Sequence, residues 1–137
     1  MPKIKVEPRT RGLVQETGTG LHLLKGDTAV TTSNDTPNTI ILSRSDGPVI
    51  NITSGAAANI VHLPNISADT IGLTFIINVG ANGFELRSHT EESQLINGAT
   101  GGTNVEAAIS ANSSIICVCT SATNWAVVGP HGTSVAS

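Results

Sequence analysis

The sequence is short of aromatic rings. Its 137 residues include only Phe75, Phe84 and Trp125, and no tyrosine. Proteins that hold single-stranded nucleic acid stack its bases on aromatic side chains along a basic groove. Sugar rings need the same kind of flat apolar partner. Both recognitions therefore lack their usual platform. Charge is scarce too: 12% of residues are charged, against about a quarter in an average soluble domain. So few charges make a poor surface for a free monomer and suit a chain that hides much of itself in an assembly. No apolar run approaches the eighteen or so residues of a membrane-crossing helix.

Cysteine is limited to Cys117 and Cys119, in "SSIICVCTS". On a strand, residues i and i+2 share a face with Cα atoms about 6.6–7 Å apart, at or beyond the disulfide limit. With no histidine nearby in sequence, they read as two small buried apolar groups.

Catalytic patterns are missing. Glu91 and Glu92 form the only adjacent acidic pair, and neighbours on an extended segment point apart. No G-x-S-x-G elbow occurs. "GATGGTN" is glycine-rich, yet has neither the lysine nor the strand–helix setting of a phosphate loop. His22, His62, His89 and His131 show no metal-ligand spacing. The expectation is a non-enzyme with no catalytic, cofactor-binding or metal-binding residues.

What is present is small and β-branched: Thr, Ser, Asn, Gly, Ala, Val and Ile fill the chain. These residues suit pleated surfaces and turns. The charges are unevenly placed. Lys3, Lys5, Arg9 and Arg11 against Glu7 give residues 1–11 a charge of +3, and the remainder of the chain carries −6. A basic, proline-containing start on an acidic body reads either as an arm that docks onto a partner or a neighbouring subunit, or as a solvated, disordered terminus. An acidic body also repels nucleic acid. Lys3, Glu7 and Arg9 break any apolar run, so the start does not read as a secretory leader. Synthesis in a cytosol is expected.

Residues 1–28 read as this extended arm, 29–129 as a β-domain and 130–137 as a tail. Strands are expected over 38–43, 49–53, 59–64, 73–79, 84–88, 105–110, 114–120 and 125–129, with Leu95 and Ile96 pinning a long polar excursion. "RSDGP" reads as a turn. "GLTFIINVGANGFELRS" reads as a hairpin turning at Asn82-Gly83. About seven to nine short antiparallel strands at roughly ten-residue spacing indicate an all-β sandwich or barrel. No repeat of fixed period argues for a solenoid. Trp125 reads as a core plug.

Several strands are apolar on both sides, among them Ile40-Ile41-Leu42, Phe75-Ile76-Ile77 and Ile115-Ile116-Cys117-Val118. A sandwich strand normally turns polar residues to water. The second face needs cover, and either another subunit or the chain's own arm folded back over the sheet can supply it. Ile41, Ile76, Ile116 and Val118 are the expected contacts of an oligomer.

Leu63-Pro64, Gly72, Phe75 to Asn78, Gly83, Ile96 to Gly98 and Trp125 to Gly129 follow one another in an order that resembles a β-module of tailed-bacteriophage structural proteins. The likeness spans residues 40–129. It implies a trimeric β-sandwich or jelly-roll-like protein of the virion. A small module behind a basic arm looks most like a capsid decoration, or cement, protein on the outer capsid surface. Its partners would be the major capsid protein and its own copies, with no nucleic acid, membrane or cofactor. The arm residues expected to bind the capsid are Lys3, Ile4, Lys5, Val6, Arg9, Arg11, Leu13 and Val14. The alternative is a receptor-binding or adhesin module of a tail fibre or spike.

Overall fold

Strict alternation of burial shapes the body. Strand β5 (Val49–Ser54) buries Ile50 and Ile52 and turns Asn51 and Thr53 outward. Strand β7 (Thr74–Val79) buries Phe75, Ile77 and Val79, and β11 (Ser114–Ser121) buries Ile115, Cys117 and Cys119. Strand β12 (Asn124–Val128) buries Trp125 and Val127. With side chains alternating across a strand, each of these presents one greasy face to a common interior.

The computed structural model describes residues 4–7, 12–15, 25–30, 40–89, 94–98 and 105–135. Among these there is no α-helix, only a 3-10 turn at Arg44–Asp46. The other strands are β1 (Ile4–Glu7), β2 (Gly12–Gln15), β3 (Lys25–Val30), β4 (Ile40–Ile41), β6 (Ile60–His62), β8 (Phe84–Arg87), β9 (Leu95–Ile96), β10 (Val105–Ile109) and β13 (His131–Val135). β1 and β2 pair only with each other. The body has two sheets, ordered β3-β5-β7-β11-β12-β9 and β13-β10-β8-β6-β4. Between them lies one core that includes Ile50, Ile77, Phe75 and Trp125 from the first sheet, and Val61, Leu86 and Phe84 from the second.

The connectivity overturns the antiparallel expectation. β3, β5 and β7 run parallel, and so do β4, β6 and β8. From β3 to β8 each strand lies in the opposite sheet from the one before it, so the chain coils through three rungs. β10 and β11 then reverse direction and pair antiparallel with β8 and β7. A jelly roll is built from antiparallel neighbours; here the neighbours in each sheet come from successive turns of the coil.

The expected hairpin is absent for the same reason. β7 and β8 belong to different sheets, and the link 80–83 is a corner. Asn82 Nδ2 donates to the carbonyl of Ser54 at 3.0 Å, and the Gly80 N–H donates to that of Ile52 at 3.0 Å. These bonds stack the corner on the rung before it.

Domain limits move as well. Lys25 is the first residue of a body strand, so the arm is shorter than 28 residues. Residues 131–135, expected as tail, pair with β10 as an edge strand.

Candidate interaction face

The outer side of the six-stranded sheet carries its side chains in rows set by register. One row runs Lys25, Val49, Ile76, Ile116, Val128 across five adjacent strands. Beside it lies Thr74, Val118, Ala126, and on the other flank Asp27, Asn51, Asn78, Ser114. The first row is apolar after Lys25 and opens to solvent at one end: Ile116 is 43% exposed and Val128 64%, whereas Val49 and Ile76 are half-buried. Isolated exposed apolar residues are ordinary; a contiguous row on a flat sheet marks a contact site.

The flanking row is polar and tied together. Ser114 Oγ donates to Asn78 Oδ1 at 3.1 Å. Lys25 Nζ donates to Asp27 at 3.1 Å. Hydrogen bonds from Lys25, and then Asn51, hold the Asp27 carboxyl below its ordinary value. A charged pair on the edge strand β3 also discourages open-edge pairing.

The opposite sheet is different on its outer side. There the register lines up Ile41, His62 and Arg87. Arg87 is 6% exposed and bridges Glu85 at 3.4 Å, and Ile60 in the adjoining row is 1% exposed. His62 Nδ1 lies 2.9 Å from the Ser88 carbonyl. Apart from Ile41 at the sheet edge this side is largely covered, whereas the six-stranded sheet leaves Ile116 and Val128 open.

Ile76, Ile116 and Val118 thus share one face. Ile41 does not. It lies on strand β4 at the edge of the other sheet, 50% exposed. Being flanked by apolar neighbours made it look equivalent, but alternation on β4 sends it to a different side of the body. Val49 and Val128 join the row without having been anticipated. The alternation in "WAVVG", with Trp125 inward and Val128 outward, is the signal that marks Val128.

Of the arm residues, Ile4, Lys5 and Val6 fall on β1, and Leu13 and Val14 on β2. The register pairs Val6 with Leu13 and Lys5 with Val14. Lys3, Arg9 and Arg11 lie outside the described residues.

Compared with protein-family models, with curated proteins and with solved structures, the chain matches none.

Among the described residues no group of three His, Cys, Asp or Glu side chains could hold a metal ion, and no helix is long and apolar enough to cross a membrane. Cys117 and Cys119 are free thiols that point into the core. Burial pushes the Cys117 thiol up to about 12 and raises that of Cys119. Native protein at pH 8 should therefore leave both thiols unmodified by a maleimide, and denaturant should release two per chain. The linkage has a definite sign. An unfolded thiol ionises near pH 9 while the folded one keeps its proton, so stability from this source is complete below pH 9 and falls between 9 and about 12. Rapid labelling of native protein at pH 8 would contradict this.

Proposed function

We propose that the chain is a non-enzymatic structural protein of a tailed-phage virion, a homotrimer that decorates the outer capsid surface and stabilises contacts between capsomers. The body is read as a short β-solenoid whose two sheets enclose the core. The observation that carries the proposal is the apolar row Val49, Ile76, Ile116, Val128, whose half-buried first pair continues into Ile116 and Val128, which a lone chain leaves in water. The order of marker residues over 40–129 that resembles phage structural modules gives the assembly its setting.

The mechanism is added buried area. Apolar surface removed from water contributes about 25 cal/mol per Å², less the cost of ordering whatever docks. Three tethered subunits turn modest single contacts into strong binding through avidity. The basic arm, with Lys3, Lys5, Arg9 and Arg11, would meet acidic groups of the major capsid protein. Opposed charge mainly steers and orients such contacts.

The parallel rungs favour one other reading, a receptor-binding module of a tail fibre or spike. β3 and β4 both lie at the edges of their sheets, so a further rung could stack on that end. One experiment separates the two. Undecorated capsids of the phage that carries the gene, mixed with purified protein, should gain surface density and resist heat and salt better. Deleting residues 1–14 should abolish that binding under the capsid reading and leave receptor binding intact under the other. Capsids with no added density and unchanged resistance would end the decoration proposal.

A further inference from the structure

We propose that Asn97 is a self-modification site: its side-chain amide latches strand β9 to β12, and cyclisation onto the Gly98 nitrogen destroys that amide and releases the latch for good. The latch works in the same way whatever the body is attached to.

Its origin is the shortness of β9, which has only Leu95 and Ile96. The Leu95 N–H donates to the Thr123 carbonyl at 2.7 Å, and the Asn97 N–H to that of Trp125 at 2.8 Å. There the main chain turns away, with Asn97 at φ 54° and Gly98 at φ 68°. The ladder goes one step further through the Asn97 side chain. Its Oδ1 accepts the Val127 N–H at 2.7 Å, and its Nδ2 donates to the Val127 carbonyl at 3.0 Å. A primary amide can do this because it carries a donor and an acceptor, as a peptide group does. Beyond it, the Gly98 N–H donates to Asn124 Oδ1 at 2.7 Å.

The same amide stands in a labile place. When glycine follows asparagine, no Cβ hinders the approach of the backbone nitrogen to the side-chain carbon. In the reaction the Gly98 nitrogen bonds to Asn97 Cγ and gives its proton to water or hydroxide. The Cγ–Nδ2 bond breaks, and the amide nitrogen takes a proton from solvent and departs as ammonia. Water then opens the five-membered imide at one of its two carbonyls, leaving aspartate or isoaspartate. Water is the only reagent, and nothing is oxidised or reduced.

The sequence has two Asn-Gly pairs, and the fold treats them differently. Ring closure needs the main chain of the pair to turn. At Asn82-Gly83 it is fixed: Gly83 is buried, and a Cβ added there would lie 2.2 Å from the carbonyl oxygen of Ile109. Asn97 and Gly98 are both exposed, and nothing lies within 4 Å of a Cβ added to Gly98. What restrains them is the latch itself, which turns the amide to Val127 and the Gly98 N–H to Asn124. A two-residue strand at the edge of a sheet opens locally at low cost. Each opening frees both reacting groups. After conversion the side chain ends in a carboxylate, which accepts hydrogen bonds and donates none. It cannot serve the Val127 carbonyl, and isoaspartate also lengthens the main chain by one carbon. Release of β9 uncovers Ile96 and Trp125, which stand opposite each other and are 4% and 0% exposed in the latched state. The device runs once per molecule and records the time that β9 has spent open.

Full-length protein kept at pH 8 and mapped by mass spectrometry tests this. In the native protein Asn97 should convert at least roughly tenfold faster than Asn82, following the difference in local opening. In denaturant the two should convert at similar rates. Trp125 is the only tryptophan, and its emission should move to longer wavelength in step with conversion at Asn97. Asn97→Asp should show the shifted emission from the start, with faster hydrogen exchange in β9 and β12. Protected thiols establish that this variant is folded; if they are exposed, the aged natural protein carries the same test. Native Asn82 that converts as fast as Asn97 would overturn the inference. So would an Asn97 that stays intact in the native protein while it converts in denaturant, or an emission that stays in place as Asn97 converts.

Discussion

Replacing Trp125 with alanine should lower the midpoint of thermal unfolding by roughly 12–20 °C. The side chain is wholly buried, and its ring stacks on Phe75 with centroids 6.1 Å apart and planes 26° apart. It pairs across the sheet with Cys119 on one side and Ile96 on the other. No other aromatic core residue lies among the three strands β11, β12 and β9. Truncating a buried large aromatic to alanine costs about 3–5 kcal/mol, the spread reflecting how far the site can collapse. In a domain of this size each kcal/mol moves the midpoint by about 3–4 °C. Close packing on both sides argues for the upper half of that range. Trp125→Phe is the informative companion. Among the described residues the indole N–H has no acceptor, so phenylalanine removes an unsatisfied buried donor while keeping a ring against Phe75. That gain offsets part of the lost volume, and the variant should recover more than half of the alanine loss. Differential scanning calorimetry of the three proteins decides the matter. A loss below about 1 kcal/mol for Trp125→Ala would mean that the stacked pair does not anchor the core.

The strands themselves were legible because alternation is a local property. Val49–Thr53 and Ser114–Thr120 could be read residue by residue, and Trp125 as a plug followed from its place in a closing strand. The pairing of strands was not legible, because it depends on which way the chain turns at each corner. Asn82-Gly83 carries the composition of a tight hairpin. In the fold the Asn82 side chain is used instead to bind the Ser54 carbonyl of the preceding rung. The coil also escaped any test for periodicity. Lys25 stands opposite Val49 and Val49 opposite Ile76, steps of 24 and 27 residues; Ile40 stands opposite Val61 and Ile60 opposite Glu85, steps of 21 and 25. Unequal steps leave no single repeat for a self-comparison to find.

The candidate face shows the same division. That Phe75-Ile76-Ile77 and Ile115-Ile116-Cys117 need cover on a second side is a statement about single strands, and the open Ile116 agrees with it. That Ile76 and Ile116 sit directly opposite each other, with Val49 and Val128 extending the line, is a statement about register. A slip of one residue would have sent each of these to the core side. Ile41 fell in with them only because one strand cannot reveal which sheet it will join.

Gly83→Ala should cost about 3 kcal/mol and lower the midpoint by roughly 10 °C. A Cβ at this buried position would lie 2.2 Å from the carbonyl oxygen of Ile109 and 3.3 Å from the backbone nitrogen of Ala111. Both obstacles are main chain, so no rotamer change can clear them. Relief requires the end of β10 to draw away from β8, where Ile109 stands opposite Phe84. That shift would loosen two buried core residues at once. The place matters because this is where the coil ends: β10 is the strand that reverses direction and closes the five-stranded sheet against β8, with β13 beyond it. Hydrogen exchange should accordingly speed up in β8, β10 and β13, and little in β3 and β5. Gly98→Ala is the contrast. Gly98 has φ +68° and nothing within 4 Å of the added carbon, so it feels left-handed backbone strain alone, about 1–2 kcal/mol, partly offset by the lower entropy of the unfolded chain. If the two substitutions proved equally mild, the close approach of the corner to β10 would not be what holds the last rung in place, and the antiparallel closure would have to draw its rigidity from the Phe75–Trp125 pair instead.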